Sequence, residues 1–149
     1  MRSVDNINNE LTRCVNILKS DLVSSNSPML NDFIRSVNTA TGSIQASYAV
    51  SLATDPNLSN MDNLNTIVDI VSKAKGPEQA LYSYQFVYNN HLREDNLVIP
   101  VVTKVANLSH AEVSDNAFLY RNFTKLRFLN SNVIIHSLKD GHELILKRN

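Results

Sequence analysis

The chain has 149 residues, 43% of them apolar and 19% charged, an ordinary globular composition with enough apolar side chains for a substantial core. Fourteen basic residues balance fourteen acidic ones, which argues against a chain built mainly to coat nucleic acid or an anionic membrane. The single cysteine cannot close an internal disulfide, the polar opening Met1-Arg2-Ser3-Val4-Asp5-Asn6 carries no signal-peptide core, and no eighteen apolar residues run together. The expectation is a cytoplasmic protein with no membrane partner.

Val4, Ile7, Leu11, Cys14/Val15, Leu18 and Leu22 recur in steps of three and four, the stripe of one helical face. The stripe is narrow and heptad-like, so Val4, Ile7, Leu11, Leu18 and Leu22 form a candidate interaction surface for a partner helix or a second copy. Ser27-Pro28 reads as an N-cap followed by proline at the first helical position. A second helix is expected through Leu30, Phe33, Ile34, Val37, Ile44, Tyr48 and Leu52, with a middle of small residues around Gly42 where another backbone approaches closely.

Thr54-Asp55-Pro56-Asn57 predicts a loop, and Ser59-x-x-Asp62 approximates a capping box for a third helix through Leu64, Ile67, Val68, Val71 and Ala74. Gly76 then stands where a helix-terminating glycine belongs, with Pro77 opening the next helix through Ala80, Leu81, Tyr84, Val87 and Tyr88. Tyr82, Tyr84, Phe86 and Tyr88 also alternate at the strand period. As a strand they would form a base-stacking platform, but no Lys or Arg is interleaved with them, and core or interface packing is preferred. Leu97-Val98-Ile99 predicts a short strand, and residues 100–107 a short helix.

Ser109-His110-Ala111-Glu112 is a capping box with Leu108 and Val113 placed as a hydrophobic staple. The helix it opens is expected to run to residue 129. Two β-rich runs, 133–138 and 143–147, flank Lys139-Asp140-Gly141-His142, a strong hairpin signal over 133–148. No internal repeat, low-complexity tract or linker is evident.

The chemistry-bearing residues are sparse. Cys14 lies on an apolar face and reads as core. His91, His110, His136 and His142 show no metal-ligand spacing, Glu94-Asp95 are loop neighbours, and there is no phosphate-binding glycine loop or nucleophile elbow. No cofactor, metal or catalytic residue is expected, and the chain is read as a non-enzymatic protein.

The expected fold is mainly α: a helical bundle over 1–76, then a part over 77–149 whose element order is that of a winged helix, a helix-turn-helix variant with the C-terminal β-hairpin as wing. One compact domain is the alternative to this division. The expected function is a protein-interaction or assembly module acting through helical surfaces, by a protein partner or self-association. The alternative is a nucleic-acid-binding regulator using the 110–129 helix and the wing, with Asn116, Arg121, Asn122, Lys125, Arg127, Lys139, Lys147 and Arg148 as contacts. Residues 100–149 hold seven basic against four acidic residues, and residues 1–99 seven against ten.

Overall fold

A computed structural model describes residues 4–22, 24–92 and 98–115, together with 123–130, 133–138 and 143–147 as backbone alone. The described part is mainly helical: α1 (Val4–Asp21), α2 (Leu30–Asn38), α3 (Ser43–Thr54), α4 (Leu64–Ser72), α5 (Pro77–Asn90), α6 (Val98–Ala106) and α7 (His110–Asp115). Short 3-10 turns cover Ser24–Met29 and Pro56–Leu58. The chain divides into two compact units, Met1–Asn107 and Leu108–Asn149.

The first unit is two layers of helices. α1, α3 and α5 form one layer, with α3 packed on both of the others, while α2, α4 and α6 form the second with α4 in the middle. Each helix also packs on its neighbour in sequence, α1 on α2, α3 on α4 and α5 on α6. This is the stacking of successive helical hairpins, α2-α3 then α4-α5, in which each hairpin buries its apolar faces against its neighbours.

The stacking has a sequence cause, and it corrects the expectation that no repeat is present. Leu30-Asn31, Val37, Ala40, Gly42 and Gln45-Ala46 recur thirty-four positions on as Leu64-Asn65, Val71, Ala74, Gly76 and Gln79-Ala80. Core positions follow the same offset: Phe33, Ile67 and Val101 are buried on successive helices of one layer, as are Val37, Val71 and Val105. In the other layer the buried sets are Leu11, Gln45 and Gln79, then Leu18, Leu52 and Phe86. Backbone bonds repeat too. Thr41 N–H donates to Ser72 O at 2.9 Å, and Lys75 N–H donates to Ala106 O at 3.0 Å.

Two glycines carry the hairpin turns. The expected helix through Gly42 is two helices, α2 and α3, with Gly42 as the N-cap of α3; Gly76 likewise caps the start of α5 rather than the end of α4. Both backbones are extended (φ −167° and −162°), open to any residue, so close approach decides the residue type. A Cβ on Gly42 would overlap the Gln45 side-chain amide, and one on Gly76 would stand 2.6 Å from Gln79 Oε1. Both glutamines are buried, and Gln45 Nε2 donates to Ala74 O at 3.3 Å, tying one hairpin to the next. Thr41 strengthens the tie, its hydroxyl donating to Ala74 O at 2.7 Å.

Other local expectations meet mixed outcomes. Pro77 opens α5, and the helical reading of residues 80–88 holds. Ser59 does not cap α4. Its hydroxyl donates to Pro56 O, Asp55 accepts from Asn57 N–H instead, and α4 starts after Asn63 in left-handed backbone (φ 60°). Val98 and Ile99, expected as strand, begin α6, because Pro100 falls in a first helical turn whose N–H groups have no helical acceptor. Leu97 lies outside the described residues.

In the second unit the capping box is formed. Ser109 N–H donates to Glu112 Oε1 and Glu112 N–H to Ser109 Oγ, each at 3.1 Å. The expected helix over 110–129 is described as α7 over His110–Asp115 only; 116–122 lie outside the described residues, and 123–129 belong to an extended run, where the alternation Leu126 and Phe128 against Lys125 and Arg127 suits the strand period. Gly76-Pro77, expected as the boundary between parts, falls inside the first unit because α5 packs on α3, α4 and α6.

Candidate functional site

The interaction stripe expected on α1 is partly core. Leu11 and Leu18 are 8% and 0% exposed, Cys14 and Val15 are buried beside them, and Leu22 is half-buried. α1 packs on α2 and α3, so this face is covered within the first unit. The Cys14 thiol is pushed up from its ordinary pKa, by burial first and by Glu10 against the opposing pull of Arg13, which keeps it a thiol. The side chains of Val4 and Ile7 lie outside the described residues.

Of the residues expected to contact nucleic acid, Asn116, Arg121, Asn122, Lys139 and Arg148 lie outside the described residues. Lys125, Arg127 and Lys147 fall in extended runs given as backbone alone. The structure therefore brings no described side chain of that set into a cluster.

What the structure does assemble is a row of rings. α5 turns the four alternating aromatics to two sides: Tyr82 and Phe86 are 1% and 0% exposed, whereas Tyr84 is half-buried and Tyr88 is 44% exposed. Helical spacing explains the split, because positions 82 and 86 share one face and 84 and 88 another. Tyr48 on α3 joins them. Its ring centroid is 5.3 Å from that of Tyr84 with the planes tilted by 38°, Tyr84 and Tyr88 are nearly parallel at 6.3 Å, and His91 follows at 6.3 Å from Tyr88. These offsets are in the range where aromatic rings attract.

One end of the row is fixed by a hydrogen bond. His91 Nδ1 is 2.8 Å from Tyr88 O; a carbonyl only accepts, so Nδ1 carries the proton and donates. At Tyr84 the phenol is held above its usual pKa, by burial first and then by the negative charge of Asp55 and the neighbouring phenols Tyr88 and Tyr48. Tyr84 is thus a neutral O–H at physiological pH. Ile44, one turn before Tyr48, and Leu92, just after His91, are 45% and 83% exposed. They lie in sequence beside the two ring-bearing segments and, with Tyr88, are the exposed large apolar side chains among the described residues.

Charge is almost absent from these helices. α3 has no charged residue and α5 has only Glu78. The layer of α2, α4 and α6 differs. There Ser36 Oγ donates to Asp69 Oδ1 at 2.9 Å, Lys73 Nζ bridges Asp69 Oδ1 at 2.9 Å and Ser36 O at 3.2 Å, and Asn65 Nδ2 donates to Asp32. Burial raises the Asp69 pKa, but the bonds from Lys73 and Ser36 and the charges of Lys73 and Arg35 outweigh it and hold the carboxyl below its usual value. This network ties α2 to α4, and its groups are satisfied by one another.

Among the described residues no group of His, Cys, Asp and Glu side chains could hold a metal ion, and no helix is long and apolar enough to cross a membrane. No family model matches the chain, and comparisons with curated proteins and with solved structures give no match.

Proposed function

We propose that the chain is a protein-interaction or assembly module, and that its docking face is the exposed side of α3 and α5. The observation that carries this reading is the row Tyr48–Tyr84–Tyr88–His91 with Ile44 and Leu92 close by in sequence. Aromatic enrichment with depletion of charge is the compositional mark of interface centres, and tyrosine supplies large contact area at low entropic cost. Helical-hairpin stacks present such surfaces across several repeats. The reading carries no catalytic step, cofactor or metal.

The test compares affinity capture on immobilised wild-type chain with the double variant Tyr48→Ala/Tyr88→Ala and with Asp62→Asn, an exposed change elsewhere. The account expects a defined set of proteins, or further copies of the chain, retained by wild type and Asp62→Asn and lost from the double variant. Identical sets from all three contradict it.

A second reading, nucleic-acid binding through the C-terminal part, is supported by the excess of basic residues after position 99 and by the proposed hairpin wing. The wing is favoured by Asp140-Gly141 between two β-favouring runs. Titration of labelled duplex and single-stranded nucleic acid at two salt concentrations decides it: saturable binding that weakens steeply with salt supports it, and no binding at low salt removes it.

A further inference from the structure

We infer that the ring row receives a cationic side chain, an arginine or lysine of a partner segment, held over the faces of Tyr48, Tyr84 and Tyr88 beside the Asp55 carboxylate. This rests on the docking face proposed above and names the chemistry of its partner. The first ground is charge complementarity. No Lys or Arg occurs from residue 36 to 72 or from 76 to 92, stretches that contain all of α3 and α5, whereas Asp55 directly follows α3 and Glu78 lies in α5. Of the two lysines between those stretches, Lys73 is already bonded to Asp69. Arg13 and Lys19 belong to α1, which packs on α2 and α3, whereas α5 packs on α3, α4 and α6.

The second ground is geometry. Aromatic faces are the negative pole of the ring quadrupole, and a guanidinium or ammonium within reach of two or three of them is attracted by each. Tyr84 and Tyr88, tilted by only 18° from one another, offer faces of similar orientation, and Tyr48 adds a third. Asp55 is the C-cap of α3, the helix that carries Tyr48, and after burial its charge is among the causes that raise the Tyr84 phenol. Among the described residues the Asp55 carboxylate accepts only the Asn57 N–H, at 2.9 Å, and makes no ion pair. A phosphate-bearing partner would meet repulsion at this place, and an apolar partner would leave the carboxylate unused.

The experiment is an NMR titration of the full chain, reading the tyrosine ring signals, with Gly/Ser peptides that carry a central pair of Arg, Leu or Glu residues. The arginine peptide is expected to bind and the glutamate peptide not to. Asp55→Asn, which keeps the acceptor oxygen for Asn57, and Tyr88→Ala are each expected to weaken the arginine peptide by about two- to fivefold, while Asp62→Asn leaves it unchanged. The inference is overturned if the leucine peptide binds as tightly, if Asp62→Asn weakens binding as much as Asp55→Asn, or if the arginine peptide does not bind. Leucine-peptide binding that Tyr88→Ala removes would end the cationic inference while leaving the docking face standing. Ring signals that shift with protein concentration alone would overturn it in favour of a second copy as occupant.

Discussion

Replacing Gly42 by Ala tests the glycine–glutamine contact on which the hairpin turns depend. Alanine adopts the extended backbone at this position without strain, so the cost arises at the new Cβ, which takes the space of the Gln45 amide. Gln45 is 5% exposed and cannot swing into solvent without giving up its bond to Ala74 O. Breaking a buried side-chain hydrogen bond costs about 1–3 kcal/mol, and alanine is also a poorer N-cap than glycine by several tenths of a kcal/mol. Against this, alanine restricts the unfolded chain and stabilises by roughly 0.4–1 kcal/mol. The net is a loss of about 1–3 kcal/mol, from the terms just given. In a Gln45→Ala background the overlap is gone, and Gly42→Ala should become nearly neutral, a coupling of about 1–3 kcal/mol. Urea denaturation of the four proteins measures this, the midpoint moving while the slope stays constant. Gly76→Ala with Gln79→Ala should repeat the result, since the same contact recurs there. A Gly42→Ala variant as stable as wild type, or one equally costly with and without Gln45, refutes the reasoning.

Three further outcomes follow from the same contacts. Phe86→Ala, at a fully buried position, should cost about 3–5 kcal/mol in urea denaturation, whereas Tyr88→Ala, at a position 44% exposed on the same helix, should cost only about 1 kcal/mol through its ring contacts. The folded pKa of Asp69 lies below its unfolded value, so its contribution is present above the unfolded pKa and is lost as pH falls through the folded one. Wild type should therefore lose stability below pH ~4 more steeply than Asp69→Asn, as followed by circular dichroism. Tyr84 should ionise at higher pH than an ordinary tyrosine in an ultraviolet absorbance titration, and Asp55→Asn should bring it down.

Local signals in the sequence were legible where they are self-contained. The capping box at Ser109–Glu112 and Pro77 at a helix start need only neighbours within one turn, and both form. The stripe of α1 also shows its periodicity openly, but periodicity does not say whether the covering surface is a partner or the same chain, and Leu11 and Leu18 are covered by the chain itself. The break at Gly42 was hidden because Thr39-Ala40-Thr41 has no strong preference of its own. Bonds to Ser72 and Ala74, some thirty residues away, hold the turn. The thirty-four-residue repeat was readable in principle, in Gly-x-x-Gln-Ala at 42–46 and 76–80. It escapes notice because a hairpin repeat needs apolar character rather than identity at most positions, as Phe33, Ile67 and Val101 illustrate. The ring row was half legible: α5 alone offers Tyr84 and Tyr88, but only the packing of α3 on α5 brings Tyr48 to them.

The docking face is tested most directly by a photoreactive phenylalanine analogue placed at Tyr88, and separately at Thr66, an exposed position on α4 in the other layer. After irradiation in cells expressing the chain, the account predicts a covalent adduct of defined mass from position 88, abolished by Tyr48→Ala, and none from position 66. Equal labelling at the two positions, or none at 88, would contradict it.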